Sequence, residues 1–329
     1  MFTYTIRRVI QSLVVVWAAT TLMFALFFVI PGDPISLKSG EKALPPEILA
    51  NITAKYGLDQ PVIVQYGRFW GNLFRGDLGF SYKNEQSVNT ILADGLSTSA
   101  RLLFWAALAQ LIIALSVGFI SAVKRGSLGD RAATVFTVGV QGIPVFVSGL
   151  LAQYFFGVLP FQMNWNWLNF FKPWPTEWSF GVIPTEGWKG IVLPALVVAL
   201  VDAAFIARML RSSLLEVLRA DYIRTAFAKG LSARRVWLHH ALRNALIPVV
   251  TVYGTSVIAI FGVAVQTEKV FSLPGMGSTI ADSALSQDAP VVLGLSVVVI
   301  AFGALINLFV DLSYALIDPR IKIEGRVVN

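Results

Sequence analysis

Six apolar runs of membrane-spanning length, at 9–30, 102–123, 132–159, 191–207, 248–266 and 291–316, alternate with polar stretches along the sequence. A span needs about twenty residues at about 1.5 Å of rise each, and lipid offers no partner for a backbone N–H or C=O. Each run is therefore predicted to be an α-helix, and the chain an all-α polytopic membrane protein with six transmembrane helices. The first run follows Arg7 and Arg8 and ends abruptly at Pro31-Gly32-Asp33-Pro34. A cleaved signal peptide is the alternative there, but its apolar region usually covers about 7 to 15 residues and no clean small-residue cleavage site follows.

The polar stretches carry their own pattern. Residues 31–98 hold turn signals at Pro45-Pro46, Gly57, Pro61 and Gly76-Asp77, too many and too widely spaced for a bare linker, so a small folded extracytoplasmic element is predicted. Between the third and fourth runs stand Trp165, Trp167, Trp174, Trp178 and Trp188. Tryptophan favours the membrane–water boundary, which makes an interfacial belt with a re-entrant turn the plain reading and a ligand platform the other. No inverted internal repeat is visible, which weighs against a secondary transporter. The predicted organisation is 1–30 (N-terminal tail and first helix), 31–98 (extracytoplasmic segment), 99–316 (five-helix core with a cytoplasmic loop at 208–247) and 317–329 (C-terminal tail).

The loop at 208–247 departs most from the apolar pattern. Up to Pro248 it carries Arg208, Arg211, Arg219, Arg224, Lys229, Arg234, Arg235 and Arg243 against Glu216 and Asp221, a net charge of +6. From Asp221 onward Tyr222, Ile223, Ala226 and Phe227 recur at three- and four-residue steps, so a helix gathers them on one stripe with Arg224 and Lys229 beside it. Gly230 is a natural stop, because glycine enters the left-handed region without a Cβ penalty. Ser232 is then expected to cap a second helix running through His239 and His240.

Composition agrees with the pattern: 56% of residues are apolar, 14% are charged, and the mean hydropathy is +0.69. With no cysteine and only two histidines, disulfide frameworks, thiolate chemistry and a histidine metal cluster are excluded or disfavoured. The basic excess follows from topology more simply than from nucleic acid. With the N-terminus in the cytoplasm, that face holds sixteen Lys and Arg against five acidic residues, and the opposite face ten against twelve. Both termini and the basic loop are thus predicted to be cytoplasmic.

Candidate chemistry is sparse. No Gly-x-x-x-x-Gly-Lys-Ser/Thr cradle is present, so any ATP used must be hydrolysed by a partner. No nucleophile elbow or paired histidine motif points to an intramembrane enzyme. Asp202, inside the fourth run, is costly enough in lipid to be a candidate for greeting a cationic substrate group or a basic residue of another subunit; a helix–helix hydrogen bond is the alternative. Asp311 reads as an end-of-helix residue. Gly142 and Pro144 would free backbone carbonyls and permit a kink, so Pro144, Asp202 and Pro248 form the candidate pathway or gate set, with packing as the alternative for the prolines. The basic loop has too little core of its own for a DNA-reading helix-turn-helix. Anchoring to anionic lipid or docking to a cytoplasmic protein remain, and the glycine-stopped apolar stripe favours docking.

At these residues the chain resembles the permease subunits of binding-protein-dependent ABC importers, in the dipeptide/oligopeptide/nickel branch. Arg224-Thr225-Ala226 followed by Phe227-Ala228-Lys229-Gly230 occupies the frame of the family's Glu-Ala-Ala loop motif, within Asp221-Tyr222-Ile223-Arg224-Thr225-Ala226. Arg224 stands at the motif's Glu, and the family's Ile-x-Leu-Pro ending falls late, as Asn244-Ala245-Leu246-Ile247-Pro248. Further matches are Pro31-Gly32-Asp33-Pro34, Tyr56-Gly57-Leu58-Asp59-Gln60-Pro61, Gly76-Asp77-Leu78-Gly79 with Ser81, the stretch from Glu268 to Gly277, and Asp318-Pro319-Arg320-Ile321. The long segment after the first span resembles the first of the two permeases in such systems.

The resemblance implies a non-catalytic subunit in the cytoplasmic membrane. Its implied partners are a second homologous permease, two cytoplasmic ATPases that bind ATP and Mg, and an extracytoplasmic substrate-binding protein. It also implies that Asp221, Tyr222, Ile223, Arg224, Thr225, Ala226, Phe227 and Gly230 form a coupling helix docked in a groove of the ATPase. Peptides are the leading substrate. Nickel chelates or another small solute are the alternative, and a stand-alone channel or secondary transporter is the reading from a different class.

Overall fold

The computed structural model describes residues 2–28, 59–159, 163 and 189–317, and among them regular structure is helical apart from an isolated bridge between Phe80 and Ser87. The helices are α1 (Phe2–Phe28), α2 (Val62–Phe74), α3 (Val88–Val123), α4 (Leu128–Gln141), α5 (Val145–Gln153), α6 (Lys189–Val217), α7 (Asp221–Ala228), α8 (Ala233–Arg235), α9 (Leu242–Val270), α10 (Met276–Leu285) and α11 (Ala289–Ile317). By length and composition five of the continuous helical stretches can cross a membrane, and α4 with α5 makes a sixth if counted together. The proline-glycine corner at 31–34, the tryptophan-rich stretch and the motif at 318–321 lie outside the described residues, as do most of the expected extracytoplasmic element's first half and the C-terminal tail.

The chain divides into two compact units, 1–97 with 274–329, and 98–273. In the first, α1 and α11 run side by side in opposite directions, and Arg8 near the start of α1 pairs with Asp311 near the end of α11 at 3.2 Å. Apolar alternation on α2 turns Tyr66, Phe69 and Leu73 towards Phe24, and the Tyr66 and Thr21 hydroxyls meet at 2.8 Å. The Gly76-Asp77-Leu78-Gly79 stretch is a corner. Gly76 and Gly79 take φ of +77° and +95°, the Asp77 carboxylate accepts from the Gly79 N–H, and the Asn89 side chain bridges the Leu78 N–H and the Gly76 carbonyl. Beyond it, buried Asp288 accepts from the Ser81 hydroxyl at 2.5 Å and from the Tyr82 N–H at 3.0 Å.

In the second unit α6 is the central helix. Ile206, Leu210 and Leu214 are fully buried, and α9 packs along it. Glycine lets α3 come close: a Cβ on Gly118 would stand 2.6 Å from the Ala207 carbonyl oxygen. The expected third span is broken, with the axes of α4 and the helix after it turned by 109°. Gly142 caps α4, and Pro144, with no N–H to give and ψ of 142°, begins α5. α5 then runs into a π-helical turn, Tyr154–Val158.

Helix lengths also differ from the apolar pattern. The second helix expected after Gly230 does not stop at His240: α8, a π turn at Val236–Ala241 and α9 form one stretch, Ala233–Val270, so the fifth span begins well before residue 248. Ser232 has the extended backbone of a cap residue but its side chain makes no capping hydrogen bond. α6 likewise continues to Val217, so Arg208 and Arg211 belong to it and the linking loop shrinks to 218–232 around α7. Hydropathy marks where lipid ends, whereas a helix needs only continued backbone hydrogen bonding and persists into water.

Candidate functional site

α7 is a two-turn helix seated between the ends of α6 and α9. Ala220 enters it with extended backbone, and Asp221 in its first turn lies favourably against the positive end of the helix dipole. Ile223 and Ala226, three residues apart and therefore on one face, are 1% and 7% exposed. They join a core that includes Leu210 and Leu214 of α6, Val236 and Ala241 of the π turn, and Ala245 of α9. Alone a helix this short has no stability; burial of these two side chains supplies it.

The far end is stopped by a double hydrogen-bond cap. The Gly230 N–H donates to the Phe227 carbonyl at 2.9 Å and the Leu231 N–H to the Ala226 carbonyl at 3.3 Å, with Gly230 at φ of +78°. Leu231 then packs against the same core as Ala226. The helix is thus pinned at its base and its exit direction is set.

This corrects the expected contact stripe. Ile223 and Ala226 face the chain's own core and root the helix, while Tyr222 and Phe227 are 44% and 43% exposed. Asp221, Arg224, Thr225, Ala228, Lys229 and Gly230 are exposed with them. The Asn244 side chain on α9 donates to the Tyr222 hydroxyl at 2.8 Å, which holds that ring against the base of the bundle. The Arg224–Asp221 pair, 3.4 Å apart, is solvated and contributes little stability. The outward face is aromatic at two corners and cationic between them.

A second arrangement, between residues 81 positions apart, was not legible in the sequence. Asp130 is buried, and its two oxygens accept from Nε and Nη2 of Arg211 at 2.9 and 3.0 Å. The Ser121 hydroxyl and the Gly126 N–H also donate to it, so α3, the turn after it, α4 and α6 meet on one carboxylate. One local signal existed: Ser127 is followed three residues later by Asp130, and Ser127 caps α4 by accepting from the Asp130 N–H. Arg208 donates to the Thr137 carbonyl and the Gln141 side chain, so two of the loop's expected cations serve α4.

The candidate gate residues lie on three different elements. Pro144 is exposed at the break before α5, and Pro248 is half-buried inside an uninterrupted α9. Asp202 is half-buried on α6 and makes no hydrogen bond or ion pair among the described residues. The stretch beginning at Glu268 is a packed seam: buried Glu268 accepts from the Ser99 hydroxyl at 2.6 Å, and Phe271 and Leu273 are buried. The Gln153 side chain donates to the Val270 carbonyl, and Gly149 leaves room for Val270 and Phe271. Among the described residues no group of three or more His, Asp or Glu could hold a metal ion.

Long apolar helices with a short, core-rooted helix between two of them define a membrane-embedded protein. Residues 114–323 match the family described as the inner membrane component of binding-protein-dependent transport systems, and residues 1–103 match the N-terminal membrane component of such systems. The chain belongs to this family and is a multi-pass permease subunit. It is 36% identical to the di/tripeptide transport system permease protein DppB of Pseudomonas aeruginosa, over 98% of this chain and 99% of the relative. It is 35% identical to the dipeptide permease protein DppB of Escherichia coli, with 98% and 99% covered, and to the oligopeptide permease protein OppB of Salmonella typhimurium, with 98% and 100% covered.

Proposed function

We propose that this chain forms, with a second homologous permease, the pathway of an ATP-driven importer for di- and oligopeptides. An extracytoplasmic binding protein delivers the substrate, and two cytoplasmic ATPases bind ATP and Mg. The chain itself carries out no catalysis, and both its termini face the cytoplasm. The observation that carries the coupling part is α7: Ile223 and Ala226 join it rigidly to α6 and α9, while Tyr222, Arg224, Phe227 and Lys229 stand open for a partner. A push on that open face tilts the two long helices together, because α7 has no slack at either end. The peptide substrate is supported by the names of relatives aligned over nearly the whole chain.

The test uses the chain's lack of cysteine. With Phe227→Cys, a short cross-linker should join this chain to an ATPase subunit in native membranes, and proteoliposomes holding the complete complex and binding protein should take up a tripeptide only with ATP. Peptide flux through the chain alone, without ATPases, would make it a channel and refute the proposal.

A further inference from the structure

Asp202 is the only ionisable side chain between Lys189 and Arg208 in the most enclosed span of the molecule. Its neighbours Ala203, Ala204, Ile206 and Ala207 are buried, but Asp202 lies on a different face, which continues through Phe205, Met209, Ser212 and Glu216 at three- and four-residue steps. From Asp202 towards the basic loop that face is open, with Phe205, Ser212 and Glu216 exposed and Asp202 and Met209 half-buried, whereas Val198 and Ala199, one turn the other way, are buried. A carboxylate on an open face inside a span does not rest in hydrocarbon, so what covers it is water or another charged group.

The depth of Asp202 is also marked. The Ser213 hydroxyl donates to the Ala245 carbonyl at 3.1 Å, which registers α6 against antiparallel α9. Eleven residues farther along each helix stand Asp202 and Ser256. At that level the Gln110 amide of α3 donates to the Ser256 hydroxyl at 2.9 Å, and the Gln110 Oε1, fully buried, has no partner among the described residues. Three adjacent helices therefore place polar groups at one depth, roughly 16 Å from the Ser213 contact at about 1.5 Å per residue.

The geometry points to Asp202 as a station in the translocation pathway that takes the α-ammonium group of the peptide in transit. This rests on the peptide-importer reading above. The ligand follows from charge: every unmodified linear peptide carries at least its α-ammonium, and Asp202 is an acidic group on an intramembrane helix face with no cation to meet among the described residues. The contact is ionic, made in a water-filled pathway, and weak enough to release the peptide inward.

The experiment measures ATP-driven uptake of trialanine by proteoliposomes containing the complete complex and binding protein. Asp202→Asn should lower uptake by about tenfold, the scale of one lost charge-assisted hydrogen bond, and Asp202→Glu should retain most of it. Asp202→Cys should also be slow, should react with water-soluble methanethiosulfonates, and should regain uptake with the anionic sulfonatoethyl reagent but not with the cationic trimethylammonioethyl one. Uptake by Asp202→Asn at the unmodified rate overturns the inference. So does a cysteine closed to both reagents, or loss of the second permease on purification, which would make Asp202 a subunit contact. If the unmodified complex takes up no peptide, the importer reading fails first, and the ammonium ligand with it.

Discussion

Gly230 ends α7 at φ of +78° with no atom within 4 Å of the place a Cβ would occupy. Gly230→Ala therefore clashes with nothing and costs backbone strain alone, about 1 kcal/mol. That is enough to change the exit angle without unfolding the complex, so more ATP should be hydrolysed per peptide transported; an unchanged ratio in proteoliposomes would count against a coupling role. Ile223 and Phe227 sit four residues apart and should behave oppositely. Ile223→Ala empties a fully buried position at about 2–4 kcal/mol, and should lower the melting temperature of the purified complex. Phe227→Ala removes a half-open ring, so it should leave melting unchanged and weaken ATPase binding. A melting loss for Phe227→Ala would mean that the ring belongs to the core.

Among elements, the junction of α3, α4 and α6 hangs on the Asp130 carboxylate. Arg211→Met would leave that buried group without its counter-charge, at about 2–4 kcal/mol, since Arg211 remains partly open to solvent. Adding Asp130→Asn should recover part of the loss, because a neutral amide can still accept from the Gly126 N–H through its oxygen while its NH2 donates to the Ser121 hydroxyl oxygen. Thermal unfolding of the two variants checks this, and further destabilisation by the second change would contradict it. The break between α4 and α5 and the persistence of α9 back to residue 233 are element-scale facts with different sources. Pro144 announced a disturbance but not a 109° turn, whose size depends on how α5 seats against α9 and α6. The π turn at Val236–Ala241 follows no local rule in these residues.

For the whole molecule, the distribution of lysine and arginine predicts which side of the membrane each loop faces. Single cysteines in place of exposed Arg224 and exposed Asn84 should accordingly label from opposite sides, position 224 from the cytoplasm and position 84 from outside. Labelling of both from the same side would overturn the topology. The pairing of Arg8 with Asp311 fits this frame, since it brings the first turns of α1 and the last turns of α11 to one level.

Hydropathy by itself determined that the chain is a helical membrane protein with six apolar runs, of which the structure makes five continuous helices long enough to cross and breaks the other into α4 and α5. It also determined α7 and its stop, because the spacing of Ile223 and Ala226 and the freedom of Gly230 are local properties. Tertiary structure decided which way α7 faces. The stripe from Tyr222 to Phe227 has no inward side until α6 and α9 supply a wall, and that wall takes Ile223 and Ala226 and leaves Tyr222 and Phe227 outside. It decided as well that Asp130 and Arg211, 81 residues apart, share a buried contact and that Asp202 is left open. Periodicity reports which side chains share a face; only packing between distant segments reports what that face meets.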